Sequence, residues 1–320
     1  QLIIFERNEY SLYRVEKLLE DSKIECEFIL GDLCDEYKVT NIMSKYKPDI
    51  IFHSAAYKHV PILERNPREG IKNNILGTKN ISDAANLKGC ESFILISTDK
   101  AVNPTNILGA TKRIAEIYID ILNKKSDTRF ITVRFGNVLD SDGSVVPLFK
   151  EQIKKGGPIT VTHKDIVRFF MTIPEAVGLV LQASTMSTGG EVFVLNMGKP
   201  IKIIDLAKKM IRLSGLEVFD METKEGDIEI EFTGLREGEK LFEELIIGDE
   251  VSKTQHDRIL KADEESLEWE EVETFLSKFK EAFKTRNERQ AHDLLIKSKI
   301  SRENYLSNIC LLYTSDAADE

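Results

Sequence analysis

The sequence lacks several features that would have decided its class at once. No G-x-G-x-x-G or similar triple occurs among its 18 glycines, and its four cysteines (Cys26, Cys34, Cys90, Cys310) include no C-x-x-C pair. Those thiols and the five histidines show no metal-ligand spacing, so no metal site is expected, and sparse cysteine suits a reducing compartment. No apolar run approaches the roughly 20 residues of a membrane span, and no signal peptide opens the chain. Positive charge is also in deficit. With 44 Lys+Arg against 54 Asp+Glu, the net charge of −10 argues against a nucleic-acid partner, although a local basic pocket could hold phosphates. No internal repeat or low-complexity linker is visible.

What remains is an ordinary globular composition, 42% hydrophobic and 31% charged over 320 residues. Apolar runs at Leu2–Phe5, Glu27–Leu30, Ile50–His53, Phe93–Ser97 and Phe130–Arg134 alternate with helical patterns at Ser11–Asp21, Tyr37–Tyr46, Pro67–Asn86 and Ala110–Asn123. Strands that are continuously apolar and separated by helices predict an α/β fold with a parallel sheet covered on both faces, the doubly wound class. From about Val146 the rhythm changes, with helices at Val146–Lys155, Pro174–Ser184 and Ile204–Gly215. Strands follow at Ile159–Val161, Glu191–Asn196 and Ile228–Phe232. This divides the chain into a dinucleotide-binding domain over 1–145, an interleaved substrate lobe over 146–265 and charged helices over 266–309, including an outer wrap around Trp269–Phe283. Residues 310–320 have no amphipathic pattern and read as a non-native tail.

In such a fold Glu6, at the end of the first strand, stands where an acid binds the adenosine ribose. That strand is then the second of the fold. One strand–glycine-rich turn–helix unit of about 30 residues is expected ahead of Gln1, and its absence opens the sheet at the middle. Asp32 with Leu33 follows the next strand, where a carboxylate can accept from an adenine amino group or cap a turn. Ala55, Ala56 and Tyr57 end the third strand, and small residues there admit close backbone approach by a cofactor. Asn74 could bridge strands through its amide.

The segment from Ile96 through Thr98-Asp99-Lys100, Asn103-Pro104 and Leu108 to Thr111-Lys112-Arg113 resembles the extended short-chain dehydrogenase/reductase superfamily. Within it the sequence is similar to the CapD-like UDP-N-acetylglucosamine 4,6-dehydratases of surface-polysaccharide synthesis. The resemblance runs from Gln1 to about Glu265. It includes Ala55–Pro61, Arg134–Val138, Gly143–Pro147, Arg168–Met171 and Gly234–Lys240. Leu108 occupies the place of the tyrosine that removes a hydroxyl proton in most of the superfamily, and a Y-x-x-x-K match at Tyr13 and Lys17 falls in the wrong part of the fold.

The resemblance implies oxidation at C4, water elimination across C5 and C6, and hydride return to C6. Asp99 protonates the leaving oxygen, Lys100 takes the C5 proton and serves the oxidation too, Thr98 orients the C4 hydroxyl, and Lys112 holds the nicotinamide ribose. These roles call for a desolvated Lys100 of lowered pKa and a protonated carboxyl. NAD is favoured over NADP, because Glu6 repels a 2′-phosphate, although Arg7 beside it could pair with one. Asn137 and Arg236 are expected at the UDP-sugar, with Lys58 and Arg168 as further contacts; Arg168 has Asp165 as an alternative, structural partner. Thr254–Ile259 and the missing tyrosine resemble the long forms. They imply a membrane-anchored parent with this part on the cytoplasmic side of the inner membrane, and association into homo-oligomers. Two other readings are a UDP-sugar epimerase and a non-catalytic nucleotide sensor.

Overall fold

The computed structural model describes residues 1–245, 251–262, 270, 272–274, 276–278 and 295. The first half alternates as the apolar runs predict. Strands β1 (Leu2–Glu6), β2 (Cys26–Leu30), β3 (Ile50–His53), β4 (Ser92–Ile96) and β5 (Arg129–Arg134) are separated by helices. These are α1 (Glu9–Leu19), α2 (Glu36–Tyr46), α3 (Val60–Arg65), α4 (Pro67–Gly70), α5 (Thr78–Lys88) and α6 (Ile107–Asn123). Helices α1, α2 and α6 start one residue after Asn8, Asp35 and Asn106, whose side chains accept from Ser11 N, Lys38 N and Gly109 N. The caps thus set α1 and α6 to begin ahead of their apolar patterns.

The single helix expected over Pro67–Asn86 is instead broken. A π-helical stretch, Ile71–Gly77, separates α4 from α5. Its wider turn accompanies two inward-facing amides, Asn73 and Asn74, both buried.

The second half contains β6 (Asn137–Val138), α7 (Val145–Lys154), β7 (Ile159–Val161), β8 (Val167–Arg168), β9 (Phe170–Met171), α8 (Ile173–Met186) and β10 (Val192–Leu195). It continues through β11 (Ile201–Lys202), α9 (Ile203–Leu213), β12 (Ile230–Phe232), β13 (Val251–Lys253) and β14 (Ile259–Ala262). The main sheet has the order β13-β14-β10-β5-β4-β3. Its β3–β4, β4–β5 and β5–β10 pairs are parallel, and β14 runs antiparallel to both β10 and β13. Strand β10 returns to this sheet between β7 and α9, and β14 returns after β12, so the two halves interleave in the chain. Strands β1 and β2 form a separate parallel pair, and among the described residues no ladder joins β1 to β3. The parallel strands thus lie in two separate ladders, and Leu2 on β1 and Ile50 and Phe52 on β3 are exposed.

Both faces of the main sheet are covered, as continuous apolar strands require. One face buries Phe93, Leu95 and Phe130 against α2, α5 and α6, and Val272, Leu276 and Leu295 join that cluster. The other buries Ile94, Ile131 and Val133 against α8. Removing each such side chain from water contributes about 1.5–3 kcal/mol. A third cluster, with Phe149, Ile159, Ala207, Ile211 and Ile228, holds the lobe of α7, α9, β7 and β12 together. Most of the wrap expected around 269–283, and all of 310–320, lie outside the described residues. No helix among the described residues is long and apolar enough to cross a membrane.

Candidate active site

In a parallel sheet the functional loops leave the carboxyl ends of the strands. Here those of β1 to β5 carry Glu6, Asp32, Tyr57, Thr98–Lys100 and Asn137. They form two groups.

The first group surrounds Arg7. Its guanidinium lies 3.6 Å from Asp32 Oδ2 and 4.6 Å from the centre of the Tyr57 ring, and it donates to Asn73 Oδ1 at 3.5 Å. Glu6 Oε1 accepts from the backbone of Arg7 (2.9 Å) and Asn8 (2.8 Å). Asp32 Oδ1 accepts from Cys34 N at 2.8 Å, so it caps the turn. Burial opposes ionisation of Asp32, but the Cys34 hydrogen bonds and the Arg7 charge outweigh it and hold the carboxyl below its ordinary value. The Leu33 side chain belongs to the core, whereas Ala55 is exposed. Asn74 is buried and joins the loop after β3 to α6 rather than bridging strands: its amide accepts from Tyr57 N (2.8 Å) and donates to Tyr57 O and Thr111 Oγ1 (both 3.1 Å).

The second group is the turn after β4. Thr98 caps a single 3-10 turn, Asp99–Ala101, accepting from Lys100 N at 3.4 Å. Asp99 Oδ1 accepts from Thr98 Oγ1 at 2.9 Å and from Lys100 Nζ at 3.0 Å. The Asp99 side chain is 0% exposed and that of Lys100 17%, which rules out a solvated pair on a loop. Gly136 makes room for this carboxylate, since a Cβ there would stand 2.8 Å from Asp99 Oδ2.

Glu243, which the sequence reading did not select, completes the group. Its Oε1 lies 3.6 Å from Lys100 Nζ and 3.7 Å from Arg168 Nε. Arg168 Nη2 also contacts Glu239 at 3.4 Å, and Arg168 Nη1 donates to Val167 O. Arg168 therefore differs from both expectations. Its guanidinium is buried on two carboxylates of the chain rather than presented to an incoming phosphate, and Asp165 pairs with Lys202 instead. The signal for Glu243 was its place four residues after Glu239, but nothing local connects that pair to Lys100.

The charge state of Lys100 also differs from expectation. Burial alone lowers its pKa, but Asp99 and Glu243 more than offset this and raise it above the ordinary lysine value. Lys100 is an ammonium at rest. Lys112 is the lysine that burial depresses, down to about 8, with Glu116 opposing the shift. It is not an exposed helix charge: Nζ donates to Ile96 O at 2.7 Å, beneath the end of β4. Leu108 packs in the core, while Tyr13 and Lys17 lie on exposed α1.

The segment 234–244 braces the loop that follows Lys100. Gly238 O accepts from Asn106 Nδ2 (3.0 Å) and Thr105 Oγ1 (3.4 Å). Lys240 Nζ donates to Val102 O and Asn103 Nδ2 to Glu244. Glu64, from α3, accepts from Ile107 N at 2.7 Å, and burial pushes its carboxyl up to about 7. Lys58 and Arg236 are exposed, and Asn137 Nδ2 donates to Phe169 O at 3.3 Å. No hydrogen bond or ion pair among the described residues joins these three to the Thr98–Lys100 turn.

Known proteins resemble this chain over most of its length. Residues 1–264 match the family described as polysaccharide biosynthesis protein. The capsular polysaccharide biosynthesis protein CapD of Staphylococcus aureus is 52% identical over 259 residues, which are 80% of this chain and 42% of CapD. The chain thus spans about two fifths of that relative's length. A UDP-glucose 4-epimerase of Rickettsia bellii is 34% identical over 80% of this chain and 71% of its own. The X-ray structure of Pen from Bacillus thuringiensis superposes with a TM-score of 0.73 at 37% identity, covering 81% of this chain and 79% of Pen. The match over residues 1–264, most of the chain, shows that the chain belongs to the polysaccharide biosynthesis protein family.

Proposed function

We propose that the chain is the catalytic part of a nucleotide-sugar 4,6-dehydratase that converts UDP-N-acetylglucosamine to a 4-keto-6-deoxy sugar nucleotide. The observation that carries this reading is the buried Thr98–Asp99–Lys100 turn, with one carboxylate oxygen bonded to both the hydroxyl and the ammonium. Elimination needs an acid for the leaving C6 oxygen and a base for C5 at one place, and this turn supplies both.

The cofactor in this reading is NAD, which when bound takes a hydride from C4 and returns it to C6. The residues present fit its adenosine half: Glu6 and Asp32 offer acceptors, exposed Ala55 and half-buried Ala56 leave backbone approachable, and Asn74 fixes the Tyr57 loop. The pairing of Arg7 with Asp32 offsets the charge a 2′-phosphate would seek, which supports NAD over NADP. Lys112, whose Nζ donates to Ile96 O, is assigned to the nicotinamide ribose.

The Thr98 hydroxyl orients the C4 hydroxyl and passes its proton along the 2.9 Å bond to Asp99. Buried Leu108 takes no part, and Asp99 thereby becomes the acid required next. Lys100, as a free amine, removes the C5 proton while Asp99 protonates the departing C6 oxygen, which leaves as water. Asn137, exposed Lys58 and exposed Arg236 are assigned to the sugar and diphosphate. The long-form resemblance of Thr254–Ile259 extends the proposal to a membrane-anchored, self-associating parent with this part facing the cytoplasm.

The test is turnover of UDP-N-acetylglucosamine by the longer native protein in deuterated water. A 4-keto-6-deoxy product with deuterium at C5 supports the reading. The likeness to the Rickettsia epimerase favours a second one, in which the ketone forms but the hydroxyl count is kept; a C4 epimer as sole product would establish it. No turnover at all would leave a sensor.

A related prediction concerns Gly109. A Cβ at this position would stand 2.1 Å from Lys100 O and 3.0 Å from the Pro104 side chain. Backbone cannot yield as a side-chain tip can, so Gly109→Ala should displace Lys100 by a large fraction of an ångström. Turnover is expected to fall about a hundredfold, with substrate affinity nearly kept; an unchanged kcat would show that the helix start does not position the lysine.

A further inference from the structure

The proposed chemistry requires Lys100 as a free amine, yet the resting site holds it as an ammonium against two carboxylates. Asp99 cannot relieve it, because that carboxylate receives the C4 proton and must still deliver it to the leaving oxygen. A different acceptor is needed inside the closed site, and the structure offers one. We infer that Glu243 is a positioning residue that takes up the resting proton of Lys100 and returns it at the end of each cycle. The inference rests on the dehydratase reading for its chemistry and on the geometry for its residue.

Four observations support it. Glu243 Oε1 stands 3.6 Å from Lys100 Nζ, and the side chain of Glu243 is 3% exposed, so a proton passed there stays out of bulk water. Glu243 Oε2 is buried without a hydrogen-bond partner among the described residues, which leaves an oxygen for the proton to occupy. Arg168 Nε, 3.7 Å away, holds the carboxyl in place, and Arg168 is itself anchored to Glu239. The backbone carrying Glu243 is tied to the catalytic loop through Gly238 and Lys240, so donor and acceptor move as one unit.

The protons balance. At rest the charged Lys100 faces Asp99 and Glu243. The C4 hydroxyl proton goes to Asp99, and the Lys100 proton goes to Glu243. Lys100 then takes the C5 proton while Asp99 gives its own to the C6 oxygen. Lys100 hands a proton back to C5 as the hydride returns to C6, and Glu243 reprotonates Lys100. The net transfer is one proton from the C4 hydroxyl to the departing water, and none need come from solvent.

The groups facing Lys100 are Asp99 on its own turn, Glu243 from the 234–245 segment and Arg168 from β8, with Glu239 behind Arg168. Lys112, on α6, has its ammonium on Ile96 O. Removing Glu243 therefore removes the one acceptor besides Asp99 among the described residues.

The experiment compares the full-length protein with its Glu243→Gln and Glu243→Asp variants, measuring kcat on UDP-N-acetylglucosamine from pH 6 to 9. The unmodified protein is expected to show a nearly flat profile, because the transfer is internal. Glu243→Gln should lose activity by roughly tenfold for each unit below the top of that range, because its lysine must then discharge to solvent; KM should change little. Glu243→Asp should restore most of the flat profile. A uniform loss at all pH values in Glu243→Gln would show a merely structural role and overturn the inference.

A second readout needs no turnover: the pH dependence of Lys100 acetylation by acetic anhydride, followed by peptide mass spectrometry. Loss of the second carboxylate should move its midpoint to lower pH in Glu243→Gln, and an unmoved midpoint overturns the inference. A shifted midpoint in a protein that makes no keto sugar would uphold the Glu243–Lys100 coupling and sink the dehydratase reading instead.

Discussion

Replacing Lys100 by alanine is expected to reduce turnover of UDP-N-acetylglucosamine by about a thousandfold or more, within the range that a positioned acid or base supplies. The substitution removes the group assigned to C5. It also leaves Asp99, which is wholly buried, without the ammonium at 3.0 Å that compensates its charge. The second effect makes stability part of the measurement. Urea unfolding should show a loss of a few kcal/mol at most, since breaking a buried pair costs about 3–5 kcal/mol and Thr98 still donates to Asp99. The two effects separate by chemical rescue. Ethylamine added to Lys100→Ala should restore part of the rate, more at higher pH, because the free amine is the active form. A variant that stays folded and turns over at near-normal rate would remove Lys100 from the mechanism.

The second large effect is on stability. Arg134, at the end of β5, is 0% exposed, and its Nε donates to Glu116 Oε1 at 2.8 Å. Glu116 lies on α6, and its Oε1 also accepts from Ser97 Oγ at 2.5 Å, on the residue before the Thr98–Lys100 turn. Arg134, Arg113 and Ser97 hold the Glu116 carboxyl below its ordinary value despite complete burial. Glu116→Ala removes the carboxylate paired with a buried guanidinium and is expected to cost about 3–5 kcal/mol, read as a lower urea midpoint with little change in slope. Glu116→Gln should cost less, because an amide oxygen can still accept from the guanidinium. Equal stability of Glu116→Ala and the parent would mean that the pair contributes nothing to the fold.

Glu116 also illustrates the boundary between what is local and what is not. On the sequence it is one more polar position in an apolar helix; in the fold it ties β5, α6 and the end of β4 together.

The sequence by itself determined the alternation of strands and helices, the parallel sheet and the position of the Thr98–Lys100 turn after β4. Those follow from short-range facts: continuous apolar runs demand burial on both faces, and Thr98, Asp99 and Lys100 are adjacent in the chain. Asn8, Asp35 and Asn106 emerged as caps only in the structure, where the three helices begin one to three residues ahead of their apolar patterns. Tertiary structure alone decided the π-helical break before α5, the commitment of Arg168 to Glu239 and Glu243, and the burial of Lys112. It also decided the charge of Lys100. Desolvation and the fields of two carboxylates act there in opposite directions, and one of those carboxylates, Glu243, comes from far along the chain. A Coulomb interaction depends on distance in space and on the water excluded between charges, and neither quantity can be read from spacing along a chain.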